Sequence, residues 1–184
     1  MARQLFGTDG IRGVAGKPPL DTATVYAFGA ALGEWAAETA AAHGVARPRV
    51  VMGMDTRESG PWLAEAAASG LRGRGVEPVF AGLTTTPGVA HLTRTLDFVA
   101  GVMISASHNP YEDNGLKVFD HSGFKLPDET ELKLEARIFA LLDGKPAASG
   151  STLKEDPALD RLYLEWLAST FRASLSGKRI VLDC

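Results

Sequence analysis

The stretch 101–119, GVMISASHNPYEDNGLKVF, most constrains the fold open to this chain. Val102, Met103 and Ile104 form a short apolar run suited to a strand covered on both faces, and Leu116 to Phe119 reads as a second short strand. The loop after Ser105 is too short to hold a crossover helix, so these two strands do not pair in parallel. Elsewhere strands and helices alternate. Strands are expected over Arg49–Met54, Glu77–Ala81, Phe98–Ser105 and Arg179–Asp183. Helices are expected over Asp21–Ala42, Pro61–Arg74, Pro87–Leu96, Asp128–Leu142 and Pro157–Ala173, the first with Asp21 as N-cap and Gly44 as its stop. Such alternation implies an α/β fold, a three-layer αβα sandwich, and the one short connection makes its sheet mixed. Residues 143–157, with their Gly, Pro, Ala and Ser, read as a linker.

The same stretch places chemistry at the end of a strand, where sites built from loops usually sit. Ser107 is the candidate nucleophile, and His108, Asn109 and Pro110 add a titratable group, an amide and a fixed φ. Asn114-Gly115 offers a turn, after which Lys117 returns the chain toward the site. Taken singly, a Ser in such a loop is usually a turn or capping residue, and Lys117 is a surface lysine. A second cluster, Phe6 to Gly13 (FGTDGIRG), is dense in Gly around one Arg. Gly lets backbone N–H groups approach an anion and Arg grips phosphate oxygens in pairs, so Thr8, Gly10 and Arg12 form a candidate phosphate site. Arg12 pairs equally well with Asp9. A third cluster, Gly53 to Gly60 (GMDTRESG), precedes a helix opened by Ser59 as N-cap and Pro61 near its first turn. Asp55 and Arg57 read as a structural pair that orients this loop. Thr84, Thr85 and Thr86 before Pro87 read as capping hydroxyls, and His43, His91 and His121 as surface or loop residues.

Other classes of chemistry fit poorly. No GxSxG elbow surrounds Ser107, and the S-x-x-K match at Ser122–Lys125 lacks companion motifs. There is no Walker loop, no full G-x-G-x-x-G and no zinc-like His/Cys spacing. A net charge of -3 and pI near 5.8 suggest neither nucleic acid nor an anionic membrane as partner. Glu34 and Glu38 interrupt the Ala-rich stretch 24–42, which favours an amphipathic helix over a membrane span. The single cysteine and the lack of a signal-like N-terminus point to the cytoplasm.

LFGTDGIRG, GMDTRESG and GVMISASHNP with DNGLKVF together resemble the first domain of the phosphohexose mutase family, and within it the bacterial phosphoglucosamine mutase branch. The resemblance implies the first domain of the phosphohexomutase fold, the phosphoserine domain, over residues 1–150. Residues 151–184 are then a linker, a helix and the start of a second domain. It implies exchange of glucosamine 6-phosphate and glucosamine 1-phosphate through a phosphoserine and a bisphosphorylated sugar, on the route to UDP-N-acetylglucosamine. Ser107 matches the phosphoserine and, through its phosphate, a ligand of one Mg²⁺ whose aspartates lie outside this chain. Lys117 matches the general acid/base, and Arg12 the arginine that stabilises the phosphoserine. His108 and Asn109 match residues shaping the serine's surroundings. A hexose 1,6-bisphosphate activator and a homodimer are also implied, as is inactivity of these residues alone. The same motifs leave a phosphomannomutase/phosphoglucomutase, or a non-catalytic phosphosugar-binding or dimerisation domain, as alternatives.

Overall fold

The computed structural model describes residues 4–144 and 152–183. Its elements follow in the order β1 (Phe6–Gly7), β2 (Gly10–Val14), α1 (Thr22–Ala42), β3 (Arg49–Met54), α2 (Gly60–Arg72), β4 (Glu77–Leu83), α3 (Thr86–Thr95), β5 (Ala100–Ile104), β6 (Asp113–Asp120), α4 (Asp128–Asp143) and α5 (Pro157–Thr170). The six strands form one sheet ordered β1-β2-β6-β5-β3-β4. β3 is parallel to β4 and β5, whereas β5–β6, β6–β2 and β2–β1 are antiparallel. The sheet is therefore mixed, and the short loop after β5 is where its direction reverses. Pairing of Ile104 with Leu116 and of Val14 with Asp113 brings the end of β5, the start of β6 and the end of β2 to one edge.

Alternation along β5 decides how the layers pack. Val102 and Ile104 face a core built with Phe28 and Leu32 of α1, Leu63 and Leu71 of α2, and Leu134 and Ile138 of α4. Met103 faces the other way, with Val51 and Phe119, under Val89 and Leu92 of α3 and Leu159 of α5. Helices thus cover both faces, giving the three-layer sandwich. α1 and α2 approach closely at Gly29 and Gly70: a Cβ on Gly70 would stand 2.5 Å from the Ala30 nitrogen and 2.7 Å from the Gly29 carbonyl carbon.

Capping follows the sequence in part. Asp21 accepts from the Ala23 and Thr24 N–H groups at 3.1 Å each, and Thr85 from Gly88 N at 3.1 Å. Ser59 makes no side-chain cap, and its hydroxyl instead accepts from Asn114 Nδ2 at 2.8 Å. Several expectations are corrected. Asn114-Gly115 is not a turn but part of β6, with Asn114 fully buried, because the reversal is completed earlier, within 105–112. Residues 6–14, where no strand is expected, form the β1–β2 hairpin, their glycines hiding any apolar alternation. Residues 179–183 form no strand: Ile180, Val181 and Leu182 are exposed, and an apolar run without a neighbouring strand has nothing to hydrogen-bond. The helix expected to reach Ala173 ends at Thr170. His91 is buried, 8% exposed, and stacks on Trp166 of α5 at 3.9 Å between centroids. The expected linker falls largely on 145–151, outside the described residues. No helix among the described residues is long and apolar enough to cross a membrane.

Candidate active site

The fully buried strand β5 delivers Ser105, Ala106 and Ser107 to the sheet edge. Ser107 has φ +59, the one non-glycine residue with positive φ among those described, and is exposed. A serine in this conformation is held there by its surroundings. Its N–H donates to Ser105 Oγ at 2.9 Å, and Ser105 Oγ donates to Asp55 Oδ2 at 2.6 Å. Asp55 in turn accepts from the Arg57 backbone N–H at 3.0 Å and from Arg57 Nε at 3.2 Å. The Arg57 guanidinium then donates to four main-chain carbonyls of the loop: Ser107 at 2.9 Å, Asn109 at 2.9 Å, Pro110 at 2.6 Å and Asp113 at 2.9 Å. The expectation that Asp55 and Arg57 serve structure agrees with this geometry. Their target, the serine loop, lies fifty or more residues away and was not legible, and Ser105 as the connecting hydroxyl was missed altogether.

The β1–β2 hairpin supplies the second half. Gly10, at φ +89, lies so close to β6 that a Cβ would touch the Leu116 carbonyl and stand 3.0 Å from Lys117 Cα. Its glycine is thus explained by backbone approach. Thr8 is exposed at the hairpin tip. Arg12 NH1 donates to Asn109 Oδ1 at 3.2 Å, and Asn109 Nδ2 donates to Asp113 Oδ2 at 2.9 Å. Arg12 Nε is buried without a hydrogen-bond partner, while the side chain as a whole is 32% exposed. Asp9 has two cations for neighbours, Lys117 Nζ at 2.8 Å and Arg12 NH2 at 3.8 Å. The hydrogen bond and charge of Lys117 hold the Asp9 carboxyl below the usual carboxylate range, with Arg12 and Lys125 assisting against partial burial. A chain of contacts, Lys117–Asp9–Arg12–Asn109, thus joins the lysine to the serine loop.

Ser107 Oγ lies 3.3 Å from His108 Nδ1. Beside the loop a cleft of about 1030 Å³ opens, lined by residues including Thr22, Arg57, Trp62, Ser107, Asn109 and Glu112. Its volume suits a small polar ligand. Lys117, Asp9 and Arg12 lie outside its lining, and Asn109, which lines the cleft and accepts from Arg12, links the two. Among the described residues no group of three or more His, Cys, Asp or Glu is arranged to hold a metal ion. A complete Mg²⁺ site does not fit these residues.

An exposed, conformationally restrained serine thus stands at the end of a mixed α/β sheet, in a loop that Arg12 reaches through Asn109. A family model described as phosphoglucomutase/phosphomannomutase, alpha/beta/alpha domain I, matches residues 3–144. The chain belongs to this family. Among its phosphoglucomutase/phosphomannomutase relatives, a phosphoglucosamine mutase of Solibacter usitatus is 56% identical over 184 residues, covering 100% of this chain and 40% of that protein. A phosphoglucosamine mutase of Koribacter versatilis is 47% identical over 188 residues, covering 99% of the chain and 40% of its own length. The chain therefore spans about 40% of the length of the curated relatives it matches. The crystal structure of a phosphoglucomutase/phosphomannomutase family protein from Burkholderia thailandensis superposes with a TM-score of 0.65 at 27% identity, over 86% of this chain and 34% of that one.

Proposed function

We propose that the chain is the phosphoserine-bearing first domain of a phosphoglucosamine mutase, which interconverts glucosamine 6-phosphate and glucosamine 1-phosphate. The observation that carries this reading is Ser107, exposed at φ +59 at the end of β5 in a loop that Arg12 reaches through Asn109. Identity of 46–56% to phosphoglucosamine mutases, against 27% to the Burkholderia thailandensis family structure, favours the amino sugar over other hexoses. In the forward transfer the Oγ–P bond of phosphorylated Ser107 breaks and a P–O bond forms to a free hydroxyl of the sugar phosphate. That hydroxyl gives up its proton and the departing serine oxygen takes one up; in the return transfer the serine hydroxyl gives up its proton and the sugar oxygen that leaves takes one up. Lys117 is the acid/base for this proton, Asp9 balancing its charge at 2.8 Å. Arg12 and the Thr8–Gly10 turn neutralise the phosphoryl oxygens, the chief requirement of such a transfer. Asn109 fixes Arg12, and His108 stands at the serine oxygen.

Residues 1–150 constitute this domain and 151–184 lead into a second. The carboxylates for Mg²⁺ come from beyond this chain, so its residues alone do not turn over substrate. A cytoplasmic homodimer activated by a hexose 1,6-bisphosphate completes the reading. The test is peptide mass spectrometry of the full-length protein, as purified and after exposure to hexose 1,6-bisphosphate with Mg²⁺. Phosphate on Ser107 that disappears on adding glucosamine 6-phosphate is the expected result. Absence of phosphate there under every condition overturns the reading.

A further inference from the structure

We infer that Arg57, charge-balanced by Asp55, is the positioning residue that sets Ser107 in its reactive conformation, a role that rests on the function proposed above. A guanidinium has five N–H donors in a fixed fork. In this structure all five are committed: Nε to Asp55, two to the carbonyls of Pro110 and Asp113, and two to those of Ser107 and Asn109. The side chain is only 11% exposed. Arg57 therefore has no donor to offer a phosphate, in contrast to Arg12, which is 32% exposed and donates one hydrogen bond, to Asn109. The two arginines divide the work by their hydrogen-bond accounts: Arg12 binds the anion and Arg57 holds the loop.

The clamp has a second arm. Asp55 receives the Ser105 hydroxyl at 2.6 Å, and Ser105 receives the Ser107 N–H at 2.9 Å, so the residue with positive φ is gripped at its carbonyl by Arg57 and at its N–H through Ser105. Both backbone groups flanking the Ser107 torsions are thereby fixed. Lysine keeps the charge but lacks the fork, so it cannot replace four carbonyl contacts. In-line phosphoryl transfer is sensitive to such placement, and a displacement of about 1 Å costs on the order of 100-fold in rate.

The experiment compares full-length wild type with Arg57→Lys and, as a milder probe of the second arm, Ser105→Ala. Amide hydrogen exchange is read over 105–113, with β3 and β5 as internal controls for folding. Arg57→Lys is expected to speed exchange of the loop amides at least about tenfold while the strands keep their protection. Kinetically it is expected to lower kcat about 100-fold with KM for glucosamine 6-phosphate nearly unchanged, because Arg57 touches the loop and not the substrate. Ser105→Ala changes both in the same direction by less. Unchanged loop exchange in Arg57→Lys overturns the proposal, and so does a raised KM with kcat preserved, which would make Arg57 a substrate ligand. Failure of wild type to carry phosphate on Ser107 would refute the mutase reading, while the exchange comparison would still decide whether Arg57 clamps the loop.

Discussion

Replacing Gly70 by Ala tests how the two helices behind the site are packed. In the interior of an exposed helix this change stabilises by about 1 kcal/mol, since Ala has the higher helix propensity. Here the sign is expected to reverse. The new Cβ would stand 2.5 Å from the Ala30 nitrogen and 2.7 Å from the Gly29 carbonyl carbon, where ordinary contact begins near 3.4 Å. These neighbours are backbone atoms of α1 and cannot turn aside as a side chain would. α2 must therefore retreat from α1 by roughly 1 Å, an overpacking that costs about 3 kcal/mol, at the upper end of the usual range. Subtracting the propensity gain leaves a net loss of about 2 kcal/mol. With a urea m-value of about 2 kcal/mol/M, the midpoint of unfolding should fall by about 1 M. Gly73→Ala is the matched control: Gly73 has φ -60 at the end of α2, and its added Cβ would meet nothing nearer than 3.4 Å. Its midpoint should be unchanged or slightly raised. A Gly70→Ala protein with the wild-type midpoint and an unaltered m-value would refute the reasoning, because it would mean that the helices separate without cost.

Glu135 accepts the N–H groups of Gln4, Leu5 and Phe6 at 2.8, 2.7 and 3.1 Å, so Glu135→Gln, which points amide hydrogens at those donors, should cost about 1.5–3 kcal/mol locally. Faster exchange at Leu5 and Phe6 with β5 unaffected is the expected readout, and unchanged exchange there counts against it. For Asp9 the sign runs to acid: its folded value lies below the unfolded one, near 4, so its pairing with Lys117 stabilises fully above that value and is lost as pH falls through the lowered one. Melting temperatures of wild type and Asp9→Asn should converge at the acid end and also in about 1 M salt, since the pair is half-exposed; a gap persisting in both would show that Asp9 acts otherwise. His91 is held neutral, its value lowered by burial and then by Arg94, so stability should decline as pH drops below about 6.5, where the unfolded chain takes up a proton that the folded one refuses. His91→Phe keeps a ring against Trp166 and should flatten the melting temperature between about pH 8 and about pH 5; an unaltered slope would assign it to other groups.

Local chemistry made much of this protein legible from its sequence. The apolar runs at 50–52 and 102–104, the Asp21 cap and Pro87 located strands and helices within a few residues, because each depends on its immediate neighbours. The mixed sheet followed from one length, that of the loop after β5, too short to carry a helix back across the sheet. Clustering of Ser107, His108 and Asn109 was likewise local. The β1–β2 hairpin was hidden by the glycines in its strands, one of which, Gly10, is required by backbone approach to β6, a feature of the partner strand. The 179–183 run looked like a strand by composition, yet a strand exists only when another pairs with it. The arrangement around Ser107 was decided by tertiary structure: β3 lies beside β5, so a loop fifty residues upstream places Arg57 under four carbonyls, and β2 lies beside β6, so Asp9 meets Lys117. Residue types declare what chemistry is available, but hydrogen-bond geometry across a sheet decides that Arg57 is spent on four loop carbonyls while Arg12 makes one hydrogen bond, to Asn109.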